Sequence, residues 1–154
     1  MYRNILVAVD GSKESKLALA DAIDLALDSN AKLTVAHVQN PAPGFARSTP
    51  VGAAAVSELP EYHSKVLRHM VDLVPKELPV TTLLLEGNPA REIVKAAKQY
   101  ENDLIVIGSR GRGRATAALL GSVSHAVLHE AEVPVLVVHS RPDSAQRTED
   151  GAQV

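Results

Sequence analysis

Two short clusters in this chain carry residue types suited to holding a phosphorylated ligand. The first is Gly108-Ser109-Arg110-Gly111, followed after nine residues by Gly121-Ser122. It comes directly after Asp103-Leu104-Ile105-Val106-Ile107, whose apolar run reads as a buried strand. Glycine lets a backbone turn with positive φ and approach a ligand closely. The N–H groups at the start of a following helix then point at an anion, reinforced by the helix dipole. The second cluster is Asp10-Gly11-Ser12, at the end of the apolar run Ile5-Leu6-Val7-Ala8-Val9. Asp10 either shapes the turn, as Asp-Gly pairs often do, or touches the ligand. Its place at the carboxyl end of a strand favours ligand contact. Ser12 reads as a helix N-cap; Ser122 serves as a cap, a phosphate contact or both.

Other chemistries fit less well. Gly108-x4-Gly113 has the first spacing of a P-loop, but Arg114-Ala115 stands where Lys and Ser/Thr are required. Gly111-x-Gly113 lacks the third glycine of a dinucleotide fingerprint, at Thr116. His125 and His129 have the i, i+4 spacing of a two-histidine metal site, but Ala126 replaces the zincin Glu and no third ligand is evident. Interaction with the helix C-terminal dipole is the favoured account of this pair. His37 and His139 end strands and read as ordinary. No Ser-His-Asp triad can be argued from spacing, because triad members meet in space. Arg110, Arg112 and Arg114 pair with phosphates or simply solvate their loop; a bidentate guanidinium suits phosphate oxygens. RNA is disfavoured, since a single Phe and no Trp leave no stacking platform.

Composition bounds the rest. The 154 residues suffice for one domain with a proper core, and 45% apolar with 3% aromatic residues makes that core aliphatic. A net charge of −2 gives no general pull toward nucleic acid or anionic membrane. The absence of cysteine excludes disulfides, thiolate catalysis and thiolate zinc sites. No apolar stretch approaches the roughly 20 residues that span a bilayer. Met1-Tyr2-Arg3-Asn4-Ile5 runs straight into a strand and does not read as a signal peptide, so the expectation is cytoplasm.

The elements that must position the clusters follow from periodicity. Residues 5–9, 33–38, 80–85, 104–107 and 135–138 read as strands. Between the first two, Leu19, Ala22, Ile23, Ala26 and Leu27 define an amphipathic helix, with Asp21, Asp24 and Asp28 opposite. Residues 40–56 hold Pro41, Pro43, Gly44, Pro50 and Gly52 without a period and read as a mobile loop. A helix is expected from about Glu58 to Lys76, with Val66, Met70, Leu73 and Val74 on its apolar side. Asn88 and Pro89 open another, to about Tyr100, and a last helix runs from about Ser122 to Glu130. Residues 1–140 then form the domain, and the polar residues 141–154 read as a frayed tail. Strict β-α alternation implies a doubly wound parallel sheet with helices on both faces. Ligands in such sheets bind at the carboxyl ends of the strands, where Asp10 and Gly108 both lie.

The paired motifs Asp10-Gly11-Ser12 and Gly-x-x-Gly-x9-Gly-Ser, with Glu132-Val133-Pro134-Val135-Leu136-Val137-Val138 behind them, resemble the universal stress protein family over about residues 3–139. The glycine motif resembles that of the ATP-binding branch. The resemblance implies an adenine nucleotide alpha hydrolase-like sheet of order 3-2-1-4-5. It also implies a site in which Ala8 and Val9 wall the base and Asp10 lies near base and ribose. The Val38 backbone reads adenine in that picture. Gly108 and Gly111 line the ribose and phosphate path, with Ile107 and Gly113 in the same site; Arg110, which departs from some relatives, is counted in the site as a candidate phosphate contact. Gly121, Ser122 and Val123 meet the phosphates from the last helix. Mg2+ would be held through those phosphates. It further implies a homodimer through the edge strand Val135, Leu136, Val137 and Val138. The function expected is a nucleotide-responsive regulatory module in stress response, with no catalytic residue assigned. The alternatives are a slow ATPase or adenylyl-transfer enzyme, and a sensor of AMP or cyclic AMP in the same pocket.

Overall fold

The computed structural model describes residues 1–40, 50–110 and 120–140, and for 50–59 the helical backbone alone. The expectations for the loop over 41–49, for Gly111, Arg112, Gly113 and Arg114, and for the 141–154 tail lie outside the described residues. In chain order the elements are β1 (Asn4–Ala8), α1 (Lys13–Ser29), β2 (Lys32–Gln39), α2 (Pro50–Val71), β3 (Val80–Glu86), α3 (Pro89–Gln99), β4 (Leu104–Gly108), α4 (Ser122–Glu130) and β5 (Val135–Val138). The five strands form one sheet in the order β3-β2-β1-β4-β5, parallel at every pairing.

The period of two in a strand explains the two cores. Ile5, Val7 and Val9 face α1 and α2, where Leu19, Ala22, Ala26, Leu67 and Met70 cover them. Leu6 and Ala8 face α3 and α4 and meet Ile93, Ala97 and Val127. β4 is divided in the same way, between Leu104 and Val106 on one face and Ile105 and Ile107 on the other. Central strands buried on both faces therefore read as unbroken apolar runs. β3 and β5 lie at the edges and expose Thr81, Thr82, Leu84 and Leu136.

Local signals set most boundaries. Ser12 accepts from the Ser15 N–H and caps α1. Asn30, at φ 54°, closes it in the left-handed conformation that Asn tolerates. Asn88 caps α3, and Pro89 opens it.

Two expectations require correction. α2 starts at Pro50, inside the segment read as loop, and stops at Val71, five residues before Lys76. Ala53, Ala54 and Ala55 are strong helix formers without amphipathic period, and Pro50 is preset for a first turn. At the other end, Pro75 cannot continue a helix and pushes the residue before it out of helical φ/ψ. The second correction concerns apolar faces. Leu27 and Leu73, assigned to them, are 46% and 50% exposed. Leu27 lies beside the buried stripe of α1, which runs through Ala26, and Leu73 lies past the end of α2, beyond the stripe through Leu67 and Met70.

Candidate functional site

At the carboxyl end of β1, Val9 extends the ladder by donating to the Ala36 carbonyl at 2.9 Å. The chain then reverses. The Ser12 N–H donates to Asp10 Oδ1 at 2.9 Å, and Gly11 takes φ 81°, a conformation that favours glycine. Ser15 is a buried second brace: its Oγ lies 3.3 Å from the Asp10 N–H and donates to the Ser12 carbonyl at 3.1 Å. Asp10 is thus a turn former whose half-buried carboxylate lies at a strand end.

The end of β4 adjoins that turn, with Ala8 paired to Ile107. A Cβ on Gly108 would lie 2.9 Å from the backbone carbon and the Cβ of Glu14. Gly108 therefore admits the first turn of α1 against β4. The chain leaves at Ser109, whose N–H donates to the Val138 carbonyl at 2.8 Å. It returns beside its exit, with the Gly121 N–H donating to the Ser109 carbonyl at 2.7 Å. Ser124 then donates from Oγ to the Gly108 carbonyl at 2.6 Å. The chain thus leaves and re-enters the described structure at one point, and α4 starts there.

Gly121, not Ser122, is the N-cap of α4, and among the described residues no side chain caps this helix. Ser122 is its first residue and exposed. Gly121 has φ −62°, so positive φ is not the reason for glycine there. An uncapped helix start leaves N–H groups available to an anion.

The remaining expected residues fall around this junction. Ala8, Val9, Ile107 and Gly108 are buried; Val38 and Val123 are half-buried and pack on the α3–α4 core. Arg110 turns toward α1 and the end of β5, with Nη2 3.3 Å from Ser140 Oγ and 3.7 Å from Glu14 Oε1. Both ionic side chains are largely enclosed, at 25% and 16% exposure for Arg110 and Glu14. His125 and His129 are exposed on α4, and among the described residues no three metal-ligating side chains converge.

Sequence reasoning missed three contributors. Glu14 and Ser124 carry signals too common to single out. His37, read as ordinary, is buried and hydrogen-bonded at both ring nitrogens: Nδ1 to the Val9 carbonyl and Nε2 to His63, each at 2.7 Å.

A parallel sheet whose winding reverses between β1 and β4, with connecting turns gathered at that reversal, defines a doubly wound α/β protein, the class of fold in which ligands bind at the switch point. Residues 1–139 match the universal stress protein family, and the chain belongs to that family. It is 39% identical over 140 residues to the "Universal stress protein in QAH/OAS sulfhydrylase 3'region" of Thermus aquaticus, covering 90% of this chain and 99% of the relative. Among solved structures, a universal stress protein in complex with cAMP superposes with a TM-score of 0.66 at 28% identity, over 90% of this chain and 97% of that one. The universal stress protein from Archaeoglobus fulgidus in complex with dAMP superposes with a TM-score of 0.55 at 26% identity, over 89% and 98%.

Proposed function

We propose that this protein binds an adenine nucleotide at the carboxyl ends of β1 and β4, and that ATP is the ligand in the cell. It then serves as a nucleotide-responsive regulatory module in stress response, as a cytoplasmic homodimer. The observation that carries this reading is the single junction formed by the Asp10 turn, the end of β4 and the uncapped start of α4. The cAMP and dAMP complexes of similar proteins support the base and ribose half of the ligand. The helix start fits a phosphate, and Mg2+ would be carried in on the phosphates.

Asp10, Val38 and Ala8 serve base and ribose in this reading, with Val9 and Ile107 behind them. Gly108, Arg110, Gly111, Gly113, Gly121, Ser122 and Val123 line the phosphate path. For Arg110 to reach a phosphate, its guanidinium must leave Glu14, so the ligand exchanges one anion for another. A second reading, a sensor of AMP or cyclic AMP, draws on the same two complexes of relatives.

A thermal-shift series with Mg-ATP, AMP, cyclic AMP and GTP, with mass spectrometry of co-purified nucleotide, tests both readings. A ligand that binds only the native state raises the melting temperature. ATP is expected to give the largest shift; a larger one with AMP or cyclic AMP selects the sensor. No shift with any adenine nucleotide, and none bound, overturns the proposal.

A further inference from the structure

His37, at the carboxyl-terminal end of β2, is 4% exposed and bonded at both ring nitrogens. Its Nδ1 faces the carbonyl of Val9, the residue before Asp10, and its Nε2 faces Nδ1 of His63, half-buried on α2. The two rings are 4.9 Å apart, and Tyr62 meets His63 edge-on at 5.3 Å. The proton positions follow from the partners. A carbonyl oxygen only accepts, so His37 Nδ1 carries a proton. In the neutral pair, His37 Nε2 accepts and His63 Nδ1 donates. One added proton is also accommodated: His37 then donates from both nitrogens, and His63 shifts to the tautomer protonated at Nε2. A second proton is not, because N–H would face N–H across 2.7 Å between two cations.

We propose that His37 and His63 are positioning residues for the nucleotide site, and that the pair's second proton releases their hold. They act through Val9 and Asp10, and the inference rests on the nucleotide reading above. His37 holds the carbonyl from which the Asp10-Gly11-Ser12 turn departs, and His63 ties α2 to the same point. Loss of the shared bond removes the hydrogen-bonded link from α2 to the His37 ring, while Leu67 and Met70 keep the helix packed, and loosens the Asp10 carboxylate.

Among the described residues, the charged groups on the surrounding elements pair elsewhere or lie exposed. On α2, Glu61 and Lys65 flank His63 and pair with each other at 3.1 Å at the surface, while Arg68 and His69 lie further along and exposed. Glu86, ending β3, accepts from Gln39 Nε2 at 3.2 Å. On α1, Glu14 faces Arg110, and Lys13 and Lys16 are exposed. Beyond β1, Asp10 accepts from the Ser12 N–H. Histidine is the side chain that titrates in the physiological range, and among the described residues this pair is the one hydrogen-bonded to the Val9 carbonyl.

The test compares the full chain with His63→Gln and His63→Leu. Glutamine retains a donor for His37 Nε2 and does not titrate; leucine retains neither property. Mg-ATP affinity is measured by calorimetry from about pH 7.5 down to about pH 5. The γ-phosphate titrates identically in all three proteins, so differences between their profiles belong to the protein. His63→Gln is expected to bind like the parent at the upper pH and to lose about five- to tenfold less affinity on acidification, the equivalent of one hydrogen bond. His63→Leu is expected to bind about five- to tenfold more weakly than the parent already at the upper pH.

Amide resonances of Asp10, Gly11 and Ser12 read the hold without any ligand. They should follow the acid titration in the parent and not in His63→Gln. If no nucleotide binds but these amides follow the pair, the nucleotide reading fails and the hold on the turn stands. If nucleotide binds, with parallel pH profiles and amides indifferent to the substitutions, the positioning role is refuted and the nucleotide reading stands.

Discussion

The hydroxyl of Ser124 donates to the carbonyl of Gly108 at 2.6 Å, so the first turn of α4 is pinned to the last residue of β4. Both residues are buried, and the connection between them begins and ends at this bond. Ser124→Ala is expected to cost about 1–2 kcal/mol of stability, the price of a buried hydrogen bond with one partner removed. Urea denaturation measures it. Adenine nucleotide affinity should fall with it, because the start of α4 is no longer held to the strand; an unchanged unfolding midpoint would refute the pin.

Gly108 has no room for a side chain. A Cβ would sit 2.9 Å from backbone and Cβ atoms of Glu14, so the obstacle includes main chain that cannot rotate away. Gly108→Ala is expected to push α1 from β4 and to destabilise by about 1–3 kcal/mol, the usual range for overpacking. Thermal unfolding without ligand checks it. A melting temperature equal to the parent's would show that α1 gives way freely.

Asp10 holds its turn, and in the proposed function it also meets the ligand; substitution can separate the two. Asp10→Asn retains an oxygen to accept from the Ser12 N–H, whereas Asp10→Ala loses it. Alanine should therefore lower stability by about 0.5–1.5 kcal/mol, and asparagine by less. If the carboxylate also accepts a hydrogen bond from the ligand, Asp10→Ala should weaken ATP binding by on the order of 1–3 kcal/mol. Calorimetric titration of both variants decides; equal dissociation constants in all three proteins would leave Asp10 as a turn former alone.

The proposed dimer predicts the behaviour of β5, a four-residue edge strand with Leu136 37% exposed. An apolar edge with unpaired backbone groups invites a second copy. Val137 packs on the α3–α4 core, so a change there would also disturb the protomer. Leu136→Lys is the cleaner probe and should shift the protein toward monomer in sedimentation at micromolar concentration. A monomeric parent, or a variant as dimeric as the parent, would overturn the interface.

Much of this architecture was legible in the chain because its signals are local. Ser12, Asn88 and Pro89 mark helix starts within one turn of themselves, and α4 and β5 fall over 122–130 and 135–138 as their patterns indicate. Continuous apolar runs placed all five strands to within a residue or so. The two strand-end clusters were visible because glycine and Asp-Gly turns follow strand ends. α2 was misplaced for the same reason: its first turns are alanine-rich and lack the amphipathic period that would announce them.

What the tertiary structure alone decided are relations between residues far apart in the chain. Gly108 is glycine because α1, nearly a hundred residues earlier, packs its Glu14 backbone there. Leu27 and Leu73 have the spacing of core residues, yet the neighbouring elements leave them exposed. His37 looked like an ordinary strand end until Val9 and His63, 28 and 26 residues away, closed on its two nitrogens. A side chain's period and propensity are read within a few neighbours, whereas its partner is set by how helices and strands stack. Sequence therefore determined the elements and the turns at their ends; packing decided which residues hold those turns in shape.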